Sequence, residues 1–155
     1  MRRVFRVCRA IHARLDGEGA RRAGGRWNSP GRAVVYMADS VALAVLENLV
    51  HMRRVDFPVG YVVIGAAIPN NVPVLSLDDF LDAERDLSPR TLGDRWIEGE
   101  NSAVLRVPSV VVPTEFIYLL NPRHRDFARV VTEIAVPFTF DERLFDDLRH
   151  SPDLA

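Results

Sequence analysis

The sequence predicts an α+β fold, in which a mixed or mostly antiparallel sheet carries flanking helices. The chain has 155 residues, of which 48% are hydrophobic and 26% charged, so it is long enough and apolar enough for one packed core. Short runs rich in Val, Ile and Tyr are typical of strands, and segments of helical character lie between them. Since neither a repeat nor a linker interrupts the pattern, we expect residues 1–155 to form a single domain.

Strands are predicted where short apolar runs are bounded by Gly, Pro, Asn or charged residues. In the first run, Phe5, Val7 and Ile11 are expected to share one face. In the last run, Pro137 lacks a backbone donor and should lie at a sheet edge or a bulge. The predicted strands are residues 4–11, 33–38, 61–68, 72–77, 104–107, 110–112, 116–120 and 132–140.

Helices are predicted where a longer segment follows a residue that can cap it. Asp39 or Ser40 can accept hydrogen bonds from the first turn of the most apolar segment, which should be buried on more than one side. The predicted helices are residues 40–53, 77–87, 91–100, 125–130 and 141–149. The polar, Gly-rich stretch 12–30 predicts a long loop, and such loops in a compact domain are more often functional than idle.

The charge balance argues against a nucleic-acid or membrane-surface protein. The formal net charge is −1 and the pI is about 6.4, so the chain has no global attraction for polyanions. The basic residues are all arginine, whose planar guanidinium grips phosphate through paired hydrogen bonds. Cys8 has no disulfide partner and should be a buried, small apolar residue. With neither a membrane span nor a signal-peptide core in the sequence, we expect a cytoplasmic protein.

The predicted helix 40–53 places Leu43, Glu47 and His51 on one stripe, because residues four apart share a helix face. A lone helix glutamate is most often solvated and weakly paired, here with His51 or Arg54. In a cleft of low dielectric, the same carboxylate would instead stabilise a developing positive charge. Glu47 and His51 would make half of a metal site, but no second ligand pair accompanies them, so no metal is expected.

The stretch GRWNSPGRAVVY, residues 25–36, adds a cation, a large ring and hydrogen-bonding side chains to turn-forming Gly and Pro. Taken singly, Arg26 would be a surface arginine and Tyr36 a half-buried strand residue. Together they suit a dinucleotide, because a guanidinium binds phosphate and a ring stacks on a base. Ser109 is either a turn residue or a hydrogen-bond donor to phosphate or ribose, since the glycines of a nucleophile elbow are missing around it.

The run GGRWNSPGRAVVYMADSVALAVLE, followed by VPSVVVPTEFIYLLNP, resembles the RES domain family. That family is named for an Arg, a Glu and a Ser, which fall here on Arg26, Glu47 and Ser109, with Tyr36 on the strand between the first two. Order, spacing and length carry the resemblance together, while residues 78–100 match no motif. The resemblance implies a fold similar to that of ADP-ribosyltransferase toxins.

The resemblance also implies the toxin of a bacterial type II toxin–antitoxin pair, which consumes NAD⁺ by cleaving the nicotinamide–ribose bond as a glycohydrolase or phosphorylase. NAD⁺ is then the substrate, and inorganic phosphate is a candidate co-substrate. The expected partner is an Xre-like antitoxin, through which any DNA contact would be made. The expected catalytic residues are Arg26, Tyr36, Glu47 and Ser109. The expected NAD⁺-binding residues are Arg26, Trp27, Asn28, Tyr36, His51, Ser109 and Asn121.

Each catalytic residue has an expected role that its chemistry supports. Glu47 would stabilise the positive charge that builds on the ribose, as in glycoside cleavage. Arg26 would clamp the pyrophosphate, and Tyr36 would offer its ring to nicotinamide and its hydroxyl to ribose. Ser109 would bind a phosphate. The hypothesis requires these residues to converge on one cleft.

Three alternatives stay open at this point. The chain could be an ADP-ribosyltransferase that acts on a specific protein target. It could instead be a protein-binding module without catalysis, which the near-neutral charge allows. A nucleic-acid binder that uses the N-terminal arginines is the third, and the overall charge argues against it.

Overall fold

In the computed structural model, which describes residues 1–80 and 86–146, the strands form one curled, mixed sheet. The strands are β1 Arg2–Arg9, β2 Val35–Ala38, β3 Tyr61–Ile68, β4 Val74–Ser76, β5 Val104–Pro108, β6 Phe116–Leu120, β7 Val131–Thr132 and β8 Val136–Phe138. Their order across the sheet is β4-β5-β6-β2-β1-β3-β7, and β8 also pairs with β3. Only β4 and β5 run parallel among the described pairs, so the predicted mixed, mostly antiparallel sheet is confirmed.

The helices lie between the strands as short elements. They are α1 Glu18–Ala23, α2 Val41–Leu49, α3 Leu77–Phe80 and α4 Pro89–Gly99, with 3₁₀ turns at Ala10–His12, Arg125–Arg129 and Glu142–Leu144. Among these described elements, none is long and apolar enough to cross a membrane. Of the predicted helices 77–87 and 141–149, residues 81–85 and 147–149 lie outside the described residues.

Several strand predictions need correction. β1 ends at Arg9, and Ile11 is 77% exposed in the following 3₁₀ turn, so its predicted place beside Val7 in the strand was wrong. Residues 110–112 form a turn, because the Ser109 hydroxyl draws the following amides toward itself. The predicted strand 132–140 is divided into β7 and β8, and Pro137 lies in the outer strand β8 as expected.

Helix predictions held best where a capping residue was present. Ser40 caps α2 by accepting a hydrogen bond from the Leu43 amide at 3.1 Å. However, α2 ends at Leu49 and buries only one side, since Leu46 is 40% exposed. The stretch 12–30 is not a plain loop either, because it contains α1. Glycines with positive φ begin and end that helix, Gly17 at 72° and Gly24 at 72°.

Two apolar cores lie on opposite faces of the sheet. One contains Leu43 of α2 and the fully buried Trp96 of α4, and the other contains Val4 and Met37. Alternate residues of β2 reach opposite cores, as the period of a strand requires. Cys8 is 7% exposed, which confirms its predicted burial.

The sheet parts between β1 and β2, and this opening positions the candidate site. β1 pairs with β3 along its whole length, from Arg2↔Ile68 to Arg9↔Tyr61. With β2 it shares a single registered pair, Phe5↔Ala38, after which the two strands diverge. Backbone groups of β1 beyond Phe5 therefore need other partners on that side.

Candidate functional site

A cleft of about 1020 Å³ opens where β1 and β2 part. Its volume is at the upper end of the range typical of small-molecule sites. β1, the loop before β2, β2 itself, α2 and the turn after β5 all contribute walls. The polar and aromatic side chains that line it include Arg6, Arg9, His12, Arg26, Trp27, Tyr36, Glu47, Asn48 and His51.

Glu47 lies in this cleft and is held by Ser109. The serine hydroxyl donates to Oε1 of Glu47 at 2.6 Å, and Ser109 is only 3% exposed. The same hydroxyl oxygen accepts the amides of Val111 at 3.1 Å and Val112 at 3.0 Å. Because the oxygen already accepts two N–H groups, its own proton is free to point at the carboxylate. Ser109 therefore orients Glu47, and its hydroxyl has little capacity left for a phosphate.

One face of α2 borders the cleft. Ala44, Glu47 and Asn48 of α2 line the cleft at the spacing of neighbours on a helix face, and His51 lines it from the turn after the helix. The predicted stripe holds for Leu43 and Glu47, which lie one turn apart in α2, but His51 lies beyond the end of the helix. Leu43 is 1% exposed and packs in the core. Ala44, the next residue of α2, lines the cleft instead of Leu43.

Tyr36 locks the loop that precedes β2. Its hydroxyl accepts the Trp27 amide at 3.0 Å and donates to Oδ1 of Asn28 at 2.7 Å. Burial raises the pKa of Tyr36 to about 12, so the hydroxyl stays protonated at neutral pH. A Cβ on Gly25 would lie 2.6 Å from this hydroxyl, so the tight approach requires glycine. The Tyr36 hydroxyl is thus engaged inside the protein, while its ring lines the cleft.

Asn28 fastens the same loop from inside. It is fully buried, and its Nδ2 donates to the carbonyls of Ala20 at 2.8 Å and Arg32 at 3.0 Å. Because Oδ1 accepts a hydrogen bond from Tyr36, most hydrogen-bonding groups of the Asn28 side chain are already paired within the loop. The predicted role of Asn28 in binding NAD⁺ therefore gains no support from its surroundings.

Helix α4 supports the loop from the other side. Asp94 accepts hydrogen bonds from the amide and the hydroxyl of Ser29, at 2.8 and 2.5 Å. Arg90 donates to the Gly25 carbonyl at 3.3 Å. A Cβ on Gly93 would lie 1.7 Å from the Trp27 carbonyl oxygen, so helix and loop pack in direct backbone contact. The segment 78–100, which matched no motif in the sequence, thus contains the helix that supports the loop before β2.

Arg26 is the residue of this loop that stays exposed to the cleft. Within residues 1–80 and 86–146, its guanidinium has neither a carboxylate nor a carbonyl partner. Arg6 and Arg9 of β1 line the same cleft, and they too pair with no described carboxylate. Glu47 is the one carboxylate among the described lining residues, so the cleft attracts anions. Arg6 and Arg9 were missed, although arginines inside an apolar strand were a usable signal.

The structure gathers most of the predicted site residues. Arg26, Trp27, Tyr36, Glu47 and His51 line the cleft, and Ser109 adjoins it through Glu47. Trp27 is 6% exposed and belongs mainly to the core.

Asn121 does not line the cleft. It is fully buried after β6, where its side chain donates to the Ile97 carbonyl at 3.2 Å and accepts the Arg123 amide at 3.1 Å. The contact of Asn121 with NAD⁺ stays a prediction, and its position outside the cleft lining does not support it.

Fold and cleft together define an α+β protein with an arginine-lined small-molecule site around one carboxylate. The family model of the RES domain matches residues 3–141, so the chain belongs to the RES domain family. The resemblance inferred from the sequence is thereby confirmed.

Similar proteins carry toxin names. "Toxin Res" of Yersinia enterocolitica is 40% identical over 142 residues, which are 88% of this chain and 93% of that protein. The "Prs ADP-ribosylating toxin" of a Sphingobium species is 33% identical over 138 residues, 84% of this chain and 86% of that protein. The toxin class predicted from the sequence is therefore confirmed by these relatives.

A solved structure shares the fold. The chain is similar to one in the crystal structure of the M. tuberculosis MbcT–MbcA toxin–antitoxin complex, with a TM-score of 0.65 and 18% sequence identity. The match covers 89% of this chain and 84% of the other. The predicted α+β class is confirmed, and this neighbour shares the fold.

Proposed function

We propose that this protein is the toxin of a bacterial toxin–antitoxin pair and that it cleaves the nicotinamide–ribose bond of NAD⁺. Its relatives are toxins, one of them named as ADP-ribosylating, and the cleft has the chemistry that this substrate requires. A protein that consumes the NAD⁺ pool acts in the cytoplasm, where that pool is found.

The observation that carries the proposal is an oriented carboxylate in a cationic cleft, the one carboxylate among the described lining residues. Glycosidases generally need two carboxylates, one of which protonates the leaving group. The nicotinamide of NAD⁺ is already positively charged and leaves as a neutral molecule, so no acid is required. One carboxylate is then sufficient, and Glu47 stabilises the positive charge that develops on the ribose. Ser109 holds that carboxylate through the 2.6 Å hydrogen bond.

The arginines account for the other half of the substrate. Arg26, Arg6 and Arg9 border the cleft without described carboxylate partners, and guanidinium groups bind phosphate oxygens in pairs. In this proposal Arg26 clamps the pyrophosphate and the β1 arginines share its charge. Tyr36 contributes the face of its ring to the nicotinamide end, while its hydroxyl fixes the loop.

The positive charge of the arginines also bears on which molecule accepts the ADP-ribose. Water yields ADP-ribose, and inorganic phosphate yields ADP-ribose 1″-phosphate by attack on the same carbon. An anionic acceptor is attracted by the arginines, so phosphate is a candidate co-substrate. The reaction itself needs no metal, because the leaving group departs without activation.

Transfer to a protein is the second candidate. It is favoured by the Sphingobium relative, whose name states that it ADP-ribosylates Prs. It is also favoured by the apolar rim of the cleft, where Val50 is 57% and Val110 is 59% exposed. A protein acceptor that covered this rim would exclude water from the reacting carbon.

The proposed partner is an Xre-like antitoxin. The solved neighbour is a toxin–antitoxin complex, and this chain would pair with an antitoxin in the same way. DNA contact would be made by the antitoxin, since the net charge of this chain is −1.

Induced expression in a bacterial host tests the proposal as a whole. We expect growth arrest together with loss of cellular NAD⁺ when the wild-type chain is expressed. Glu47→Gln removes the charge and keeps the size of the side chain, and it should restore both growth and NAD⁺. Growth arrest with a normal NAD⁺ level would reject NAD⁺ consumption and favour transfer to a protein target, which a labelled-NAD⁺ extract would then reveal.

A further inference from the structure

Asn48 follows Glu47 in the sequence and also lines the cleft. The proposed reaction assigns no role to its side chain. Its Nδ2 donates to the Val7 carbonyl at 2.9 Å and to the Ala44 carbonyl at 2.8 Å. A side-chain amide has two N–H donors, so both are used. Since both partners are carbonyl oxygens, a flipped amide would set oxygen against oxygen, and the orientation is fixed by chemistry.

The bond to Val7 also explains why Asn48 lies where it does. Val7 comes after Phe5, the last residue of β1 that pairs with β2. Its carbonyl is therefore among the backbone groups that need another partner where the sheet opens. Asn48 supplies that partner from α2 and joins helix and strand at the base of the cleft.

The amide oxygen Oδ1 is the remaining polar atom of the Asn48 side chain. Among the described residues, none donates a hydrogen bond to Oδ1 of Asn48. Every buried side-chain N or O atom of the described residues has a hydrogen-bond partner, so the unpartnered Oδ1 is not sealed inside the protein. Asn48 thus presents a single free hydrogen-bonding function, an acceptor, on a side chain that two bonds hold still. Such a preorganised group loses little entropy when a ligand binds.

We propose that Oδ1 of Asn48 binds the substrate by accepting an N–H or O–H hydrogen from its nicotinamide–ribose half. The inference rests on the proposed function. Glu47, the neighbouring residue on the same helix face, is assigned to the ribose carbon that reacts. The donors of NAD⁺ nearest that carbon are the carboxamide NH₂ of nicotinamide and the ribose hydroxyls. Asn48 would thus select ligands that carry a donor at this place.

Equilibrium titration with nicotinamide and with ADP-ribose separates the two sources. Asn48→Leu keeps the approximate size of the side chain and removes the acceptor. We expect it to raise the Kd of one of the two ligands about three- to tenfold, the range of one neutral hydrogen bond. A rise for nicotinamide identifies the carboxamide, and a rise for ADP-ribose identifies a ribose hydroxyl. Unchanged Kd values for both ligands would overturn the proposal.

Leu49→Ala is the matched control for loosening of the helix. Leu49 is the next residue of α2, packs partly buried against the first core and is not part of the cleft lining. We expect its Kd values to stay within about twofold of wild type. An equal rise in Leu49→Ala would show that Asn48 acts only through helix position, and the proposal would fail.

A measurement on the wild-type chain covers the case in which Asn48→Leu does not fold. 3-Acetylpyridine carries a methyl group where nicotinamide carries NH₂, and 2″-deoxy- and 3″-deoxy-ADP-ribose each lack one ribose hydroxyl. One of these analogues should bind about three- to tenfold more weakly than its parent, and equal affinity in all three comparisons would contradict the proposal. These are binding measurements, so a chain that binds the ligands but leaves NAD⁺ intact would reject the proposed reaction and still test Asn48.

Discussion

The hydroxyl of Ser109 donates a hydrogen bond to Oε1 of Glu47 at 2.6 Å and thereby joins the end of β5 to α2. A serine whose oxygen already accepts two backbone amides is a well-oriented donor. Ser109→Ala should leave Glu47 charged but free to rotate. We expect kcat for nicotinamide release to fall about ten- to a hundredfold, because hydrogen bonds to charged groups contribute about 1.5–3 kcal/mol.

A double substitution separates this role from direct binding of phosphate. If Ser109 acts through Glu47, Ser109→Ala should change the rate little once Glu47→Ala is already present. Rates that fall independently in the two backgrounds would indicate that Ser109 contacts the substrate or the incoming phosphate itself. The two single variants and the double variant are compared in one nicotinamide-release assay.

Arg26→Ala should weaken NAD⁺ binding without weakening the fold. The side chain is exposed and has no described partner, so the free energy of unfolding should change by less than about 0.5 kcal/mol. KM should rise about ten- to a hundredfold, since a charged, paired hydrogen bond to the pyrophosphate is lost. Arg22→Ala, at a 78% exposed side chain in α1, is the control and should leave KM unchanged. An unaltered KM in Arg26→Ala would exclude the pyrophosphate clamp.

Gly93→Ala should displace the loop that carries Arg26. The new Cβ would lie 1.7 Å from the Trp27 carbonyl oxygen, which is backbone and can yield only if helix and loop separate. We expect a loss of about 1–3 kcal/mol in the free energy of unfolding and a raised KM. Hydrogen exchange at the Gly25 amide, which donates to the Asn28 carbonyl at 2.9 Å, should become faster.

The matched control for that variant lies in the same helix. In Gly99→Ala the new Cβ meets Oδ1 of Asn101 at 2.4 Å, which is the end of a side chain that can move away. The loop should keep its wild-type exchange rate in this control. Equal protection of Gly25 in wild type and Gly93→Ala would disprove the support of the loop by α4.

Tyr36→Phe should change how stability depends on alkaline pH. An unfolded tyrosine ionises near pH 10, whereas burial raises the pKa of native Tyr36 to about 12. Between these values the native state holds the extra proton, so stability falls as pH rises through this window and is fully present below it. The fall is on the order of 2 kcal/mol and should be absent in the variant.

Urea denaturation at a series of pH values measures this difference. At neutral pH, Tyr36→Phe should be less stable by about 1–3 kcal/mol, because the Trp27 amide and the Asn28 oxygen lose their partner. The gap between the two proteins should then narrow from pH 10 to 12. Curves that fall in parallel would show that Tyr36 ionises as readily in the folded chain as in the unfolded one.

The sequence predicted the strands of the sheet more accurately than it predicted the loops. The run 61–68 predicted β3 to the residue, because a strand that is buried on both faces has an uninterrupted apolar run, and residues 64–68 are all buried. The run 110–112 was misassigned, since its three valines suit a strand but the Ser109 hydroxyl takes two of their amides. Side-chain contacts to the backbone of this kind leave little trace in a hydrophobic pattern.

In the candidate site too, local patterns were predictable from the sequence and contacts between distant residues were not. The resemblance drew attention to Arg26, Glu47 and Ser109, and the fold brings them to one cleft. The sequence did not indicate that the side chain of Asn28 is used within the loop, because its partners include the carbonyl of Ala20, 8 residues before it. Contacts with α4, more than 60 residues away, are likewise absent from any local pattern.

The role of Glu47 is tested by release of nicotinamide from NAD⁺ by the purified chain, measured with and without inorganic phosphate beside the folded Glu47→Gln variant. We expect release by the wild-type chain and a fall of at least about a hundredfold in the variant, the usual effect of losing a group that stabilises developing charge. A phosphate requirement would identify phosphorolysis. Release that is equally fast in Glu47→Gln would contradict the assignment of the oriented carboxylate to the reacting ribose.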